Sequence, residues 1–228
     1  MGTHATPNEV KTAFVASFPS GTGELFHELW TNVAHLHMNW KNYRSLYGTS
    51  PERIDLLKWT ASMFFGLLEG ILRHDIILSI ARLNDPPKSV GKPNASLAYL
   101  LDQLAPSLDA PLLGTLRSRL QDIQNYCDRV KQIRNRLLAH DDLATALNYH
   151  PDPLPTISRA DIEGALEKLR DFLGEIEEHF RGVRTSHQYV ISIDDGEALI
   201  SKLESALEHE KCRDREFKRK YGIEPTDE

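Results

Sequence analysis

Residue types able to do chemistry concentrate in one stretch, Arg134-Asn135-Arg136-Leu137-Leu138-Ala139-His140-Asp141-Asp142. Lys131, Arg134 and Arg136 gather positive charge there, on a chain whose formal net charge is −6. A guanidinium can hold a phosphate through its N–H donors, and an imidazole with a pKa near neutrality can take up or release a proton. Asn135 adds a hydrogen-bonding group beside Arg134, and Asp141 next to His140 would orient the ring and raise its pKa. On an ideal α-helix six residues at about 100° each set Arg134 and His140 roughly 120° apart. They do not share a face, so the segment must curl at a helix end or be completed by another chain. Arg136, four residues before His140, lies on nearly the same face and is a rival phosphate ligand, with a solvated surface arginine as the alternative reading.

The elements that must position this stretch read as helices in sequence. Leu25, Leu29, Val33, Leu36 and Trp40 recur at helical spacing and predict a first helix over residues 24–46. Gly48-Thr49-Ser50-Pro51 breaks it, with Ser50 suited to an N-cap and Pro51 to the first helical position. A second helix runs from Pro51 to Asn84, with a bend expected near Gly66 or Gly70, and Asp85-Pro86-Pro87 stops it. Residues 86–94 read as a loop and residues 96–105 as a short helix. A long helix from Pro111 to about His140 carries the stripe Leu112, Leu116, Leu120, Ile123 and Val130 and ends in the chemical segment. After a proline-rich connector over 148–156, Ser158 with Asp161 forms a capping box for a helix to Phe180. His187 to Ile193 alternates as a short strand or an extended link. Asp194-Asp195-Gly196 is a turn before a charged helix over 197–220.

These elements predict an all-α helical bundle with a long C-terminal helix and at most one short strand. Three parts are expected: a flexible N-terminal arm over 1–22, the bundle over 23–182, and an extended link with the charged helix over 183–228. A hydrophobic content of 40% is enough for a core. The net acidity excludes a nucleic-acid coat protein, so any RNA must be held by a local basic patch. Two cysteines, Cys127 and Cys212, permit no disulfide framework and fit a reducing cytosol. Residues 1–20 hold no apolar signal stretch, and the most apolar segment, 59–81, carries Glu69, Arg73, His74 and Asp75, so a cytoplasmic chain without a membrane partner is expected. There is no P-loop, no Gly-x-Gly-x-x-Gly, no Gly-x-Ser-x-Gly and no His-Glu-x-x-His.

Arginine, a polar residue and then histidine after five intervening residues, as in RNRLLAH over 134–140, resembles the signature of HEPN domains. The long second helix ending in Arg82-Leu83-Asn84-Asp85-Pro86 is similar to the abortive-phage-infection (AbiU-like) branch of that class, and the likeness spans about residues 24–180. The resemblance implies a helical bundle that forms a homodimer with its motifs facing each other. In many members it implies an endoribonuclease that needs no metal or cofactor and acts as a toxin or in antiphage defence, with an antitoxin protein as a further partner. Other members only bind RNA or protein. RNA carries its own nucleophile, the ribose 2′-OH, so a base, an acid and a cation suffice. His140 fits either proton role, Arg134 the developing charge on the phosphate, and Asn135 the orientation of either group. One histidine cannot be base and acid in one step, whereas two across a two-fold axis can. Some members carry a tyrosine two residues after the histidine, where an antitoxin adds nucleotides; Asp142 stands there instead, so that route of silencing is not expected.

Blander readings stand beside these. Arg134 and His140 at a helix C-terminus would suit the helix dipole without any substrate. Arg82 and Asp85 read foremost as a structural ion pair or helix stop, supporting rather than catalytic. His27, His35 and His37 invite a metal, but His35 and His37 diverge on a helix and no cysteine or carboxylate cluster joins them, so no metal site is expected. The run from Glu208 to Lys220 reads as a solvated helix, with an RNA-tracking face as the sharper alternative.

Overall fold

The computed structural model describes residues 6–138, 155–189 and 194–222, and within them the chain is all-α. Eight α-helices are formed among the described residues: α1 Pro7–Ala16, α2 Gly23–Tyr47, α3 Pro51–Leu83, α4 Leu97–Leu104, α5 Ala110–Tyr126, α6 Asp128–Ile133, α7 Arg159–Arg181 and α8 Gly196–Tyr221. They belong to two compact units, Met1–Met38 with His74–Val190, and Asn39–Arg73 with Ile191–Glu228.

In the first unit the expected loose arm is corrected over residues 7–16, which form α1. Thr6 caps it: its hydroxyl accepts from the Glu9 N–H at 3.3 Å, and the Glu9 carboxylate accepts from the Thr6 N–H at 2.7 Å. Pro7 at the first position lacks an N–H that would be unpaired there anyway. Phe14 and Phe18 are then buried on Phe26, with ring centroids 5.9 and 4.3 Å away. A Cβ on Gly23 would collide with the Val15 carbonyl, so α2 begins with glycine where α1 passes. Leu29, Val33 and Leu36 of α2 and Ile76, Ile80 and Ala81 of α3 continue the core.

Asn84 is buried at the end of α3, where its side-chain amide donates to the Ile80 carbonyl at 2.8 Å. The expected 86–94 loop contains a small hairpin, β1 Lys88–Ser89 paired antiparallel with β2 Lys92–Pro93. Asn94 holds it, donating to the Pro86 carbonyl and to Ser89 Oγ at 2.7 Å each. Val90 and Gly91 at the tip take positive φ, +49° and +75°, which glycine accepts and a β-branched residue seldom does. Ser96 caps α4.

The single helix expected over 111–140 is three pieces among the described residues. Helix α5 stops at Cys127, whose φ/ψ of −87°/6° leaves the helical basin, and α6 restarts at Asp128. From Arg134 to Leu138 the backbone widens into a π-turn. Tyr126 explains where α7 meets α5: its hydroxyl donates to the Ala160 carbonyl at 3.2 Å, and a Cβ on Gly164 would collide with that hydroxyl. The Ser158–Asp161 capping box is formed, and Gly182 at φ +68° ends α7. Along α7, Ile162, Ala165, Leu166, Leu169, Phe172, Leu173 and Ile176 are buried at helical spacing. Of the expected strand, His187–Tyr189 is a short 3-10 turn and residues 190–193 lie outside the described residues.

The second unit packs Leu46 of α2, Leu56, Leu57 and Phe65 of α3 and Ile200 of α8 into one cluster. Its α3 segment bends at Ala61, where φ/ψ is −164°/77°, rather than at Gly66 or Gly70. The expected turn at Asp194-Asp195-Gly196 includes the N-cap of α8: Asp195 accepts from the Glu197 and Ala198 N–H groups at 3.0 and 3.3 Å. Lys41 at 2.7 Å from that carboxylate holds it below the usual aspartate range. Arg53 grips Glu197 through two bonds of 2.7 and 2.9 Å and the Ser45 carbonyl at 2.8 Å. From Glu208 to Gly222 every residue of α8 is exposed.

Candidate active site

Two sequence segments read separately meet in the first unit. Arg134 stands where α6 ends and the π-turn begins, and its guanidinium lies 3.0 Å from Asp85 Oδ1. Asp85 is the residue after the α3 stop: its N–H donates to the Arg82 carbonyl at 3.1 Å, buried Asn84 anchors the turn from one side, and Pro86 ends it from the other. Both side chains are 22% exposed, so the pair is neither fully solvated nor sealed. Arg134 Nε is buried with no hydrogen-bond partner. This corrects the expected Arg82–Asp85 pair, because Asp85 is taken by Arg134 while Arg82 is exposed. Asp85 fixes one end of the guanidinium and cancels part of its charge, which orients the planar donor group.

The π-turn changes the geometry expected for an ideal helix. A wider coil turns less per residue, and such insertions recur where a side chain must be aimed at a function. Asn135 is exposed, Arg136 and Lys131 are half-buried, and all three lie in this end of the α6 segment. His140, Asp141 and Asp142 lie outside the described residues. The same holds for the connector over 148–154.

The sequence profile of the HEPN_AbiU2 family, described as AbiU2, matches residues 20–209. The chain belongs to this family. No curated protein and no solved structure matches it. The match to HEPN_AbiU2 takes in both the Arg134 segment and the Asp85 turn, so the ion pair joins two parts of one HEPN domain.

Other titratable groups of this HEPN chain are arranged for packing. Cys127 is buried and its thiol is pushed up to about 11, so it is a poor nucleophile at neutral pH. Lys131 and Lys168 pull that thiol the other way, and Lys168 also sits 5.4 Å over the Tyr126 ring. His37, one of the histidines weighed for metal, is buried against His187 with ring centroids 6.0 Å apart. Burial, then the neighbouring His187 and Arg170, lowers His37 to about 4, and burial lowers His187 as well. Neutral stacked rings account for this pair, and no metal-capable cluster of three His, Cys, Asp or Glu occurs among the described residues.

Sequence reasoning missed Glu177, which is 1% exposed. It accepts from the Thr185 N–H at 2.7 Å and the Thr185 hydroxyl at 2.9 Å, and pairs with Arg181. Its position inside the apolar spacing of α7 is the signal that would have found it. No helix among the described residues is long and apolar enough to cross a membrane.

Proposed function

We propose that this HEPN_AbiU2 chain is a metal-independent endoribonuclease of the toxin or antiphage-defence type, acting at a composite site in a homodimer. The observation that carries this reading is the Arg134–Asp85 pair, a half-exposed guanidinium oriented by a carboxylate at the start of a π-turn that leads toward His140. Arg134 binds the scissile phosphate and stabilises the charge that builds on its oxygens. His140 of one copy takes the proton of the ribose 2′-OH as that oxygen bonds to phosphorus. The bond from phosphorus to the 5′ oxygen breaks, and His140 of the second copy returns a proton to that oxygen. The products are a 2′,3′-cyclic phosphate and a 5′-hydroxyl. Arg136 and Lys131 add phosphate contacts, Asn135 and Asp141 orient the reacting groups, and an antitoxin protein restrains the activity in the cytoplasm.

The test is cleavage of mixed RNA in EDTA by the wild type, Arg134→Ala and His140→Ala. Cleavage by the wild type alone is expected; equal cleavage by all three would falsify the assignment. The net charge of −6 favours one second reading, a non-catalytic domain that holds RNA or protein. Saturable RNA binding with no product at high protein concentration is its signature.

A further inference from the structure

Helix α3 is apolar on two opposite sides within the second unit. Leu56, Leu57 and Phe65, with half-buried Leu68 and Leu72, face the cluster formed with Leu46 and Ile200. Yet Trp59, Met63, Phe64, Leu67 and Ile71 are 53–78% exposed. Met63, Leu67 and Ile71 follow one another at four-residue steps and so share a face. A helix that is apolar all round is a helix that is covered on all sides.

Gly66 and Gly70 lie on this same exposed side by helical spacing, next to Met63 and Leu67. Glycine in a helix interior sacrifices stability relative to alanine. Nothing inside the chain requires it here, because a Cβ at either position would meet no atom within 4 Å. Small residues four apart let a second backbone approach closely. The bare glycines and the uncovered apolar side chains are independent signs of one missing neighbour.

We infer that this face of α3 packs against the same face of a second copy of the chain, the two helices antiparallel. The exposed positions from Trp59 to Ile71 carry no charge, which leaves nothing to hold a phosphate backbone and no like charges to repel an identical face. The five side chains leave on the order of 600 Å² uncovered, close to the ~800 Å² per partner of a stable interface. Antiparallel pairing about an axis near Gly66 sets Trp59 over the partner's Ile71 and Met63 over the partner's Leu67. It also brings the acidic start of the segment, Glu52 and Asp55, toward the partner's Arg73. This inference does not depend on the nuclease reading.

The test is the mass of the full chain in solution, by sedimentation over a range of concentrations, for the wild type, Leu67→Asp and Gly66→Leu. A wild-type dimer at micromolar concentration is expected, with the dissociation constant raised roughly tenfold or more in each variant. Gly66→Leu separates an interface from a folding defect. On a free helix it raises the melting temperature and leaves the mass unchanged. Under a second helix it weakens the dimer while the dilute monomer melts no lower than the wild type. A wild-type monomer, or a dimer indifferent to both variants, overturns the inference. A dimer that responds as expected but leaves RNA uncut keeps this surface and removes the nuclease reading alone.

Discussion

Two arginine–carboxylate pairs of the first unit make opposite use of the same chemistry. Glu177 is buried within α7, meets Arg181 one turn on, and spends its remaining lone pairs on Thr185. The Arg181 guanidinium in turn lies 4.0 Å over the Phe14 ring. Every group in that cluster has a partner, which is what a buried charge requires in order to be tolerated. Asp85 and Arg134 each keep about a fifth of their side chain exposed, and Nε of the guanidinium is buried without an acceptor. A closed pair of the first kind fixes a fold. An open pair of the second kind keeps donor capacity for another anion.

Several experiments break or sharpen that contrast. The largest effect belongs to the closed pair: Glu177→Ala strands Arg181 and the Thr185 N–H, and a loss of about 3–5 kcal/mol is expected in denaturant unfolding. Activity per folded molecule should be unchanged. At the open pair, Arg134→Ala should lower RNA cleavage by about 10²–10³-fold, with an unfolding midpoint near that of the wild type. A large stability loss without an activity loss would reverse the two roles.

The buried histidines add a pH effect. His37 titrates near 4 in the fold and near 6.5 unfolded, because burial first, and then His187 and Arg170, disfavour its charged form. The unfolded chain therefore binds the extra proton. Stability is fully present above pH 6.5 and falls as the pH drops toward 4, by roughly 2–3 kcal/mol from this group. His187 adds to the same slope, while Glu177 beside it favours its charged form and reduces its share. Unfolding curves of His37→Gln should flatten between pH 6.5 and 4.5, above the range where Asp195 and Glu197 lose their own contributions. The smallest effect is Asp85→Asn, which loosens the guanidinium without removing it. A fall in kcat of about tenfold with little change in KM is expected for a positioning residue. A change confined to KM would instead make Asp85 a determinant of binding.

Much of the scaffold was readable from local signals. Ser50-Pro51, Asp85-Pro86 and Ser158 with Asp161 mark helix ends by chemistry that acts within a few residues, and the structure forms each end there. Helix α1 had such a signal in Thr6-Pro7 with Glu9, but its polar composition hid the two phenylalanines that tether it. The break at Cys127 left no trace in periodicity, because Ile123, Cys127 and Val130 stay on one apolar stripe across it. For the site, the concentration of Lys131, Arg134, Asn135 and Arg136 at a helix end was readable, whereas the partner of Arg134 was not. Asp85 reaches Arg134 only through packing of the α3 end near α6, a tertiary fact with no local period. The stacking of His37 on His187 escaped for the same reason.

The central claim is that Arg134 serves a ribose hydroxyl attacking its own phosphodiester. Mass spectrometry of the ends left on a defined RNA, after digestion in EDTA, tests it most directly. The account predicts 2′,3′-cyclic phosphate and 5′-hydroxyl ends, absent when Arg134→Ala replaces the wild type and absent at a single 2′-deoxy position. Fragments with 5′-phosphate and 3′-hydroxyl ends, or the same fragments from Arg134→Ala, would contradict it.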